Sequence, residues 1–154
     1  TTGCRRTSSR AIVGGDSMLP NFLDGDLVLY NRMVSEYARG DIVSMRVPSG
    51  DYYIKRVIAT GGDTVDLIDG KVYVNGEMID DPWGFGQTLE ETGVIIYPYT
   101  VRDGNVFVLG DNRTVSMDSR MFGEVNKRQI KGRIILRVSF KSPEGLLIKG
   151  ITNE

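Results

Sequence analysis

Residues 52–76 read YYIKRVIATGGDTVDLIDGKVYVNG, and the period of this stretch decides the fold. The runs 52–59, 64–68 and 71–74 are short, rich in β-branched and aromatic residues, and fenced by Gly, Asp or Asn, as strands are. Asp69-Gly70 between the second and third runs tolerates the two positive φ angles of a type I′ turn, so these runs form a hairpin. Outward from it the pattern recurs at 26–30 (DLVLY), 41–47 (DIVSMRV), 93–97 (GVIIY), 105–110 (NVFVLG) and 133–140 (RIILRVSF). Only 124–130 (EVNKRQI) reads as helix. The prediction is a mostly β, antiparallel folded-sheet or barrel-like domain with at most one or two short helices.

The 154 residues suit one domain, spanning 1–154, with one sizeable core. Its least regular part, 80–103 with DPWGFGQ, reads as a short insertion between strands. Nineteen basic and twenty acidic residues leave a net charge of −1, interspersed along the chain, which is no footprint of a nucleic-acid binder. No run approaches the roughly 18 apolar residues that span a bilayer, and the opening TTGCRRTSSR lacks the apolar core of a secretory leader.

The chain has no histidine, which excludes a Ser-His-Asp triad, a Cys-His pair and imidazole zinc sites. Its one cysteine, Cys4, forms neither an internal disulfide nor a CxxC pair. Nothing calls for a metal or cofactor. Chemistry must run on Ser, Thr, Lys, Arg, Tyr, Asp or Glu.

GGDSMLP (14–20) places Ser17 in a loop whose glycines let backbone N–H groups approach a ligand, as an oxyanion site requires; the same residues also make an ordinary turn. Asp16 is a poor base for Ser17, because neighbouring side chains in extended chain point to opposite faces. Lysine is the remaining base. Lys55 interrupts the apolar strand YYIKRVIA, with Tyr53, Val57 and Ala59 on its own face and Tyr52, Ile54, Arg56 and Ile58 on the other. At an ordinary pKa of about 10.4 a lysine is only about 0.04% neutral at pH 7, and burial is what lowers that pKa. The alternative is a strand-edge lysine that reaches water. GDNRTVSMDSR (110–120) packs Asp111, Asn112, Arg113, Ser116, Asp118, Ser119 and Arg120 after an apolar strand, which suits either a polar network or a plain polar turn.

Four boxes together resemble the bacterial type I signal peptidases, in the form typical of Gram-positive-like bacteria. They are Gly15–Pro20 (GDSMLP), Arg39–Val43 (RGDIV), Tyr53–Arg56 (YIKR) and Gly110–Arg120, in that order along about 14–140. The resemblance implies a serine endopeptidase with a Ser/Lys dyad that cleaves signal peptides from exported preproteins, favouring small residues at the first and third positions before the cut. Ser17 corresponds to the nucleophile, Lys55 to the general base, Ser116 to the hydroxyl that orients the amine, and Asp118 with Arg120 to a supporting ion pair. It also implies an N-terminal membrane anchor, upstream of this chain, at the extracytoplasmic face of the plasma membrane.

Substrate would lie extended beside Ala11–Gly15 and Tyr52–Ile54. Met18, Tyr53 and Ile54 either line its pockets or belong to the core. Trp83 and Phe85 either meet the membrane interface or pack on their own domain. Three positions depart from the family. Gly15 stands where some relatives carry an oxyanion-donating serine, leaving backbone donors, chiefly the Ser17 N–H; ATGGD (59–63) replaces a proline-containing turn; and Val115 replaces a common asparagine. The rivals are a self-cleaving Ser/Lys repressor-type protease and a non-catalytic homologue that binds signal peptides.

Overall fold

The structure is a computed structural model that describes residues 8–152. Cys4 lies outside the described residues. The strands are β1 (Ser8–Ile12), β2 (Leu27–Asn31), β3 (Ile42–Arg46), β4 (Tyr52–Thr60), β5 (Thr64–Ile68), β6 (Lys71–Val74), β7 (Glu77–Met78), β8 (Tyr99–Thr100), β9 (Asn105–Leu109), β10 (Val125–Asn126), β11 (Ile130–Ser142) and β12 (Gly145–Gly150). One α-helical turn, α1 (Ser119–Phe122), and one 3₁₀ turn (Lys127–Gln129) complete them.

Among the described residues the strands form two antiparallel sheets and no closed barrel. The larger runs β1-β2-β11-β3-β4-β9-β10, with β12 paired to β11; the smaller runs β7-β6-β5-β8. The predicted hairpin is there, with Asp69 at φ 50° and Gly70 at φ 73° between β5 and β6. Asn75-Gly76 repeats the device between β6 and β7, with φ of 54° and 82°.

β4 is the keystone because it serves three apolar clusters. Val57 joins Val43, Met45 and Val108; Ile58 and Ala59 join Val65, Val72 and Phe107; Ile54 packs against Met18, Phe22 and Ile42. Ala59 therefore does not share the face of Lys55 and Val57. A register shift against β9 between Val57 and Ala59 puts two consecutive residues into the second cluster.

Some elements differ from the sequence reading. Residues 93–97 form no strand: Val94 and Ile96 are 48% and 88% exposed, and only Tyr97 packs against a core cluster. Local alternation there has no partner strand to fold onto. Residues 124–130 form no α-helix but β10 and the 3₁₀ turn, where the Asn126 side chain accepts from Arg128 N–H while Gln129 accepts from the Asn126 N–H. β1, β7, β8 and β12 are additional strands, and β11 (Ile130–Ser142) extends a few residues beyond 133–140 at both ends.

The second cluster ties the small sheet to the large one through Phe107, which is fully buried against Val65 and Val72. Phe107→Ala is expected to cost about 3–5 kcal/mol in urea denaturation; a cost under about 1 kcal/mol would mean the two sheets do not depend on this contact.

Candidate active site

After β1 the chain turns through 13–26 and returns as β2. Val13 N–H donates to the Asp26 carbonyl and Gly25 N–H to the Val13 carbonyl, both at 2.8 Å, closing the loop at its base. Inside it Gly15 N–H donates to Asp24 Oδ1 at 2.8 Å, Leu19 N–H to the Asp16 carbonyl at 3.1 Å, and Phe22 N–H to the Met18 carbonyl at 3.0 Å. Met18 and Phe22 anchor the loop in the third apolar cluster. Ser17 is thereby carried on a braced turn.

Lys55 reaches this turn from the middle of β4. Its Nζ donates to Ser17 Oγ at 2.8 Å and to the Ile54 carbonyl at 3.1 Å, and it lies 5.1 Å from the Tyr53 ring centre. Lys55 is only 3% exposed. Burial lowers its pKa from 10.5 to about 8, against the opposing pull of the Asp118 and Asp111 carboxylates. An appreciable fraction of the amine is then neutral near neutral pH. Asp16 makes no side-chain hydrogen bond to Ser17 among the described residues.

The 110–120 box is a polar network. Arg120 holds Asp118 with two bonds of 2.9 Å, and Asp118 also accepts from Gly110 N–H at 3.0 Å and caps α1 through Arg120 N–H. The rest of the guanidinium donates to the Arg113 carbonyl at 2.9 Å and the Leu89 carbonyl at 3.3 Å. Ser116 Oγ is buried beside Gly110 and has no hydrogen-bond partner among the described residues. A Cβ at Gly110 would collide with this oxygen and with the Ser17 carbonyl oxygen, so only glycine lets the two segments meet.

Sequence reasoning gave no role to Arg56 and Asn21. Arg56 grips Asp111 with bonds of 2.8 and 2.7 Å, donates to the Gly40 carbonyl at 2.9 Å and stacks 4.7 Å from the Trp83 ring centre. Asn21 joins the loop to this pair by donating to Asp111 Oδ2 and the Trp83 carbonyl. The only signal was that Arg56 shares a box with Lys55. Trp83 thus packs on its own domain, whereas Phe85 is 59% exposed.

Ser17 and Lys55 line a cleft of about 330 Å³ together with Met18, Tyr53, Ile54 and Met117. Met18 is both cleft and core, since it is buried and its Sδ accepts from Asp111 N–H at 3.4 Å. Tyr53 donates weakly to Met117 Sδ at 3.6 Å. Among the described residues no group of His, Cys, Asp or Glu is placed to hold a metal ion. A hydroxyl in contact with a buried amine, in the lining of a cleft of mixed polar and apolar character, is equipped for acyl transfer by a hydrolase.

Residues 6–139 match the family described as signal peptidase, peptidase S26. The chain is 38% identical over 138 residues to signal peptidase I S of Bacillus subtilis, covering 79% of this chain and 71% of that protein. It is 32% identical over 142 residues to signal peptidase IB of Staphylococcus aureus, covering 81% and 74%. A crystal structure of a signal peptidase I from Enterococcus faecalis aligns with a TM-score of 0.55 at 31% identity, covering 65% of this chain and 97% of that one. The chain belongs to the signal peptidase family, peptidase S26.

The buried amine has a consequence for stability. With a folded pKa of about 8 against 10.5, the unfolded chain binds more protons between those values, so the Lys55 contribution makes stability rise with pH there. Below about pH 8 the folded state carries the full penalty, about 3 kcal/mol at about 1.4 kcal/mol per pH unit. Lys55→Met is expected to unfold at higher urea than the parent at pH 7, with the advantage shrinking toward pH 10.5. A stability difference independent of pH would show the amine to be solvated.

Proposed function

We propose that the chain is a serine endopeptidase that removes N-terminal signal peptides from exported preproteins, with Ser17 as nucleophile and Lys55 as general base. The observation that carries this reading is the 2.8 Å contact between Ser17 Oγ and a Lys55 amine whose pKa burial holds at about 8. A neutral amine accepts the Ser17 proton as Oγ bonds to the scissile carbonyl carbon, whose π electrons move to oxygen. Collapse of that oxyanion breaks the C–N bond. The ammonium gives its proton to the leaving amine, and the neutral lysine then activates water to release the acyl group. The Ser17 N–H is the proposed oxyanion donor: it makes no hydrogen bond among the described residues, whereas Gly15 N–H is held by Asp24.

Ser116 sits close enough to the Ser17 backbone to belong to the site, and the Asp118–Arg120 pair supports the same segment through Gly110. The cleft lies between Ile12–Gly14 and Tyr52–Lys55, which suits an extended peptide added as a strand, with Met18, Tyr53 and Ile54 limiting side-chain size beneath it. The whole of 1–154 works as one catalytic unit, with 80–103 an insertion braced on it by Asp81, which pairs with Arg113. The same reading puts the enzyme at the extracytoplasmic face of the plasma membrane on an N-terminal anchor, as the resemblance of the four boxes implies. Among the described residues no helix is long and apolar enough to cross a membrane. A silent homologue is disfavoured because nothing in binding alone offsets a buried lysine. A self-cleaving repressor is disfavoured by the family match.

Ser17→Ala is expected to keep its fold and to cleave an added preprotein at less than about a thousandth of the parent rate. Cleavage near the parent rate would remove Ser17 as nucleophile. For the parent, kcat/KM is expected to fall about tenfold per pH unit below about pH 8, because only the neutral amine is a base; a maximum near pH 4 would point to carboxylates.

A further inference from the structure

Asn112 bonds both carbonyls that flank the nucleophile. Its backbone N–H donates to the Ser17 carbonyl at 2.9 Å, and its side-chain Nδ2 donates to the Asp16 carbonyl at 3.1 Å. Thr114 Oγ1 donates to Asn112 Oδ1 at 3.2 Å, which fixes the amide with its nitrogen toward Asp16. The residue is 8% exposed and does not line the cleft.

The Asp16–Ser17 peptide is trans, so its C=O and N–H point in opposite directions within one plane. Holding the Asp16 carbonyl away from the cleft therefore aims the Ser17 N–H toward it. Leu19 N–H also donates to that carbonyl, but from within the same turn, so it cannot set the turn's orientation against β4. Asn112 can, because its segment is fastened to β4 through the neighbouring Asp111–Arg56 pair.

We infer that Asn112 is the positioning residue for the oxyanion donor: its side-chain amide fixes the Asp16–Ser17 peptide plane so that the Ser17 N–H meets the developing oxyanion. This rests on the reading of Ser17 as nucleophile. Ground-state binding does not use the donor, so the effect belongs to the transition state.

The test uses Asn112→Ala and Asn112→Asp, both of which keep the backbone bond to Ser17; the aspartate also keeps the shape and the bond from Thr114 but cannot donate. Two probes share one signal-peptide sequence, a peptide aldehyde and the matching alcohol. Ser17 Oγ adds to the aldehyde carbon, its proton passes to Lys55 and the carbonyl oxygen becomes the oxyanion; the alcohol forms no such bond. In each variant folded by circular dichroism, kcat is expected to fall about 100-fold with KM within about threefold. Aldehyde affinity should fall in step with kcat/KM, alcohol affinity should stay at the parent value, and in Asn112→Ala, which adds no charge, the pH midpoint should not move. One folded variant suffices. Parent-like kcat and aldehyde affinity, or equal losses for aldehyde and alcohol, would overturn the assignment. Activity in Ser17→Ala would instead strike the underlying reading, whatever Asn112 does.

Discussion

A lysine amine held out of water, 2.8 Å from a serine hydroxyl, is the constraint around which the rest of the molecule is arranged. Burial is unfavourable for an ammonium, and here it is what pulls the pKa down to about 8. The cost of that burial has to be met by the sheet. β4 does so by burying Val57, Ile58 and Ala59 in two clusters and packing the half-buried Ile54 against a third, around the position of Lys55. A strand with only one apolar face would have let the side chain turn to water.

Geometry at the site depends on ion pairs more than on packing. Arg56–Asp111, Arg113–Asp81 and Arg120–Asp118 each put a largely buried guanidinium on a carboxylate. Such pairs add little net stability once desolvation is counted, but they fix direction strongly. Arg56 and Lys55 are consecutive on β4, so the strand hands one side chain to the site and the other to the frame that holds 110–120. Asn21 and Asn112 fasten the serine loop to that frame. Ser17, Lys55 and the segment beside them are thus positioned by one connected network.

Much of this was legible in the sequence because it is local. The Asp69-Gly70 hairpin follows from dipeptide chemistry, and β3, β4, β5, β6 and β9 follow from short runs with turn residues at both ends. The lack of histidine and a cation in an apolar strand made Ser17 and Lys55 candidates, while it was the resemblance of four boxes that joined them as a pair. What was not legible is what depends on partners distant in the chain. The run 93–97 has strand composition but nothing to pair with, whereas β12 is secured by β11 despite flanking glycines. The bonds from Asn112 to Asp16 and from Arg56 to Asp111 span 96 and 55 residues, which no local pattern encodes. Ser116 was legible as a hydroxyl in a dense box, but its burial without a partner was not.

The central claim is that burial lowers the Lys55 pKa to about 8, so that an appreciable minority of the amine is neutral near physiological pH. The most direct measurement is a heteronuclear NMR titration of the lysine side-chain signals of the full chain, with Lys55 assigned by its absence in Lys55→Met. A midpoint near pH 8 for that one signal is the expected result. A midpoint at or above about pH 10, as for an exposed lysine, would contradict it.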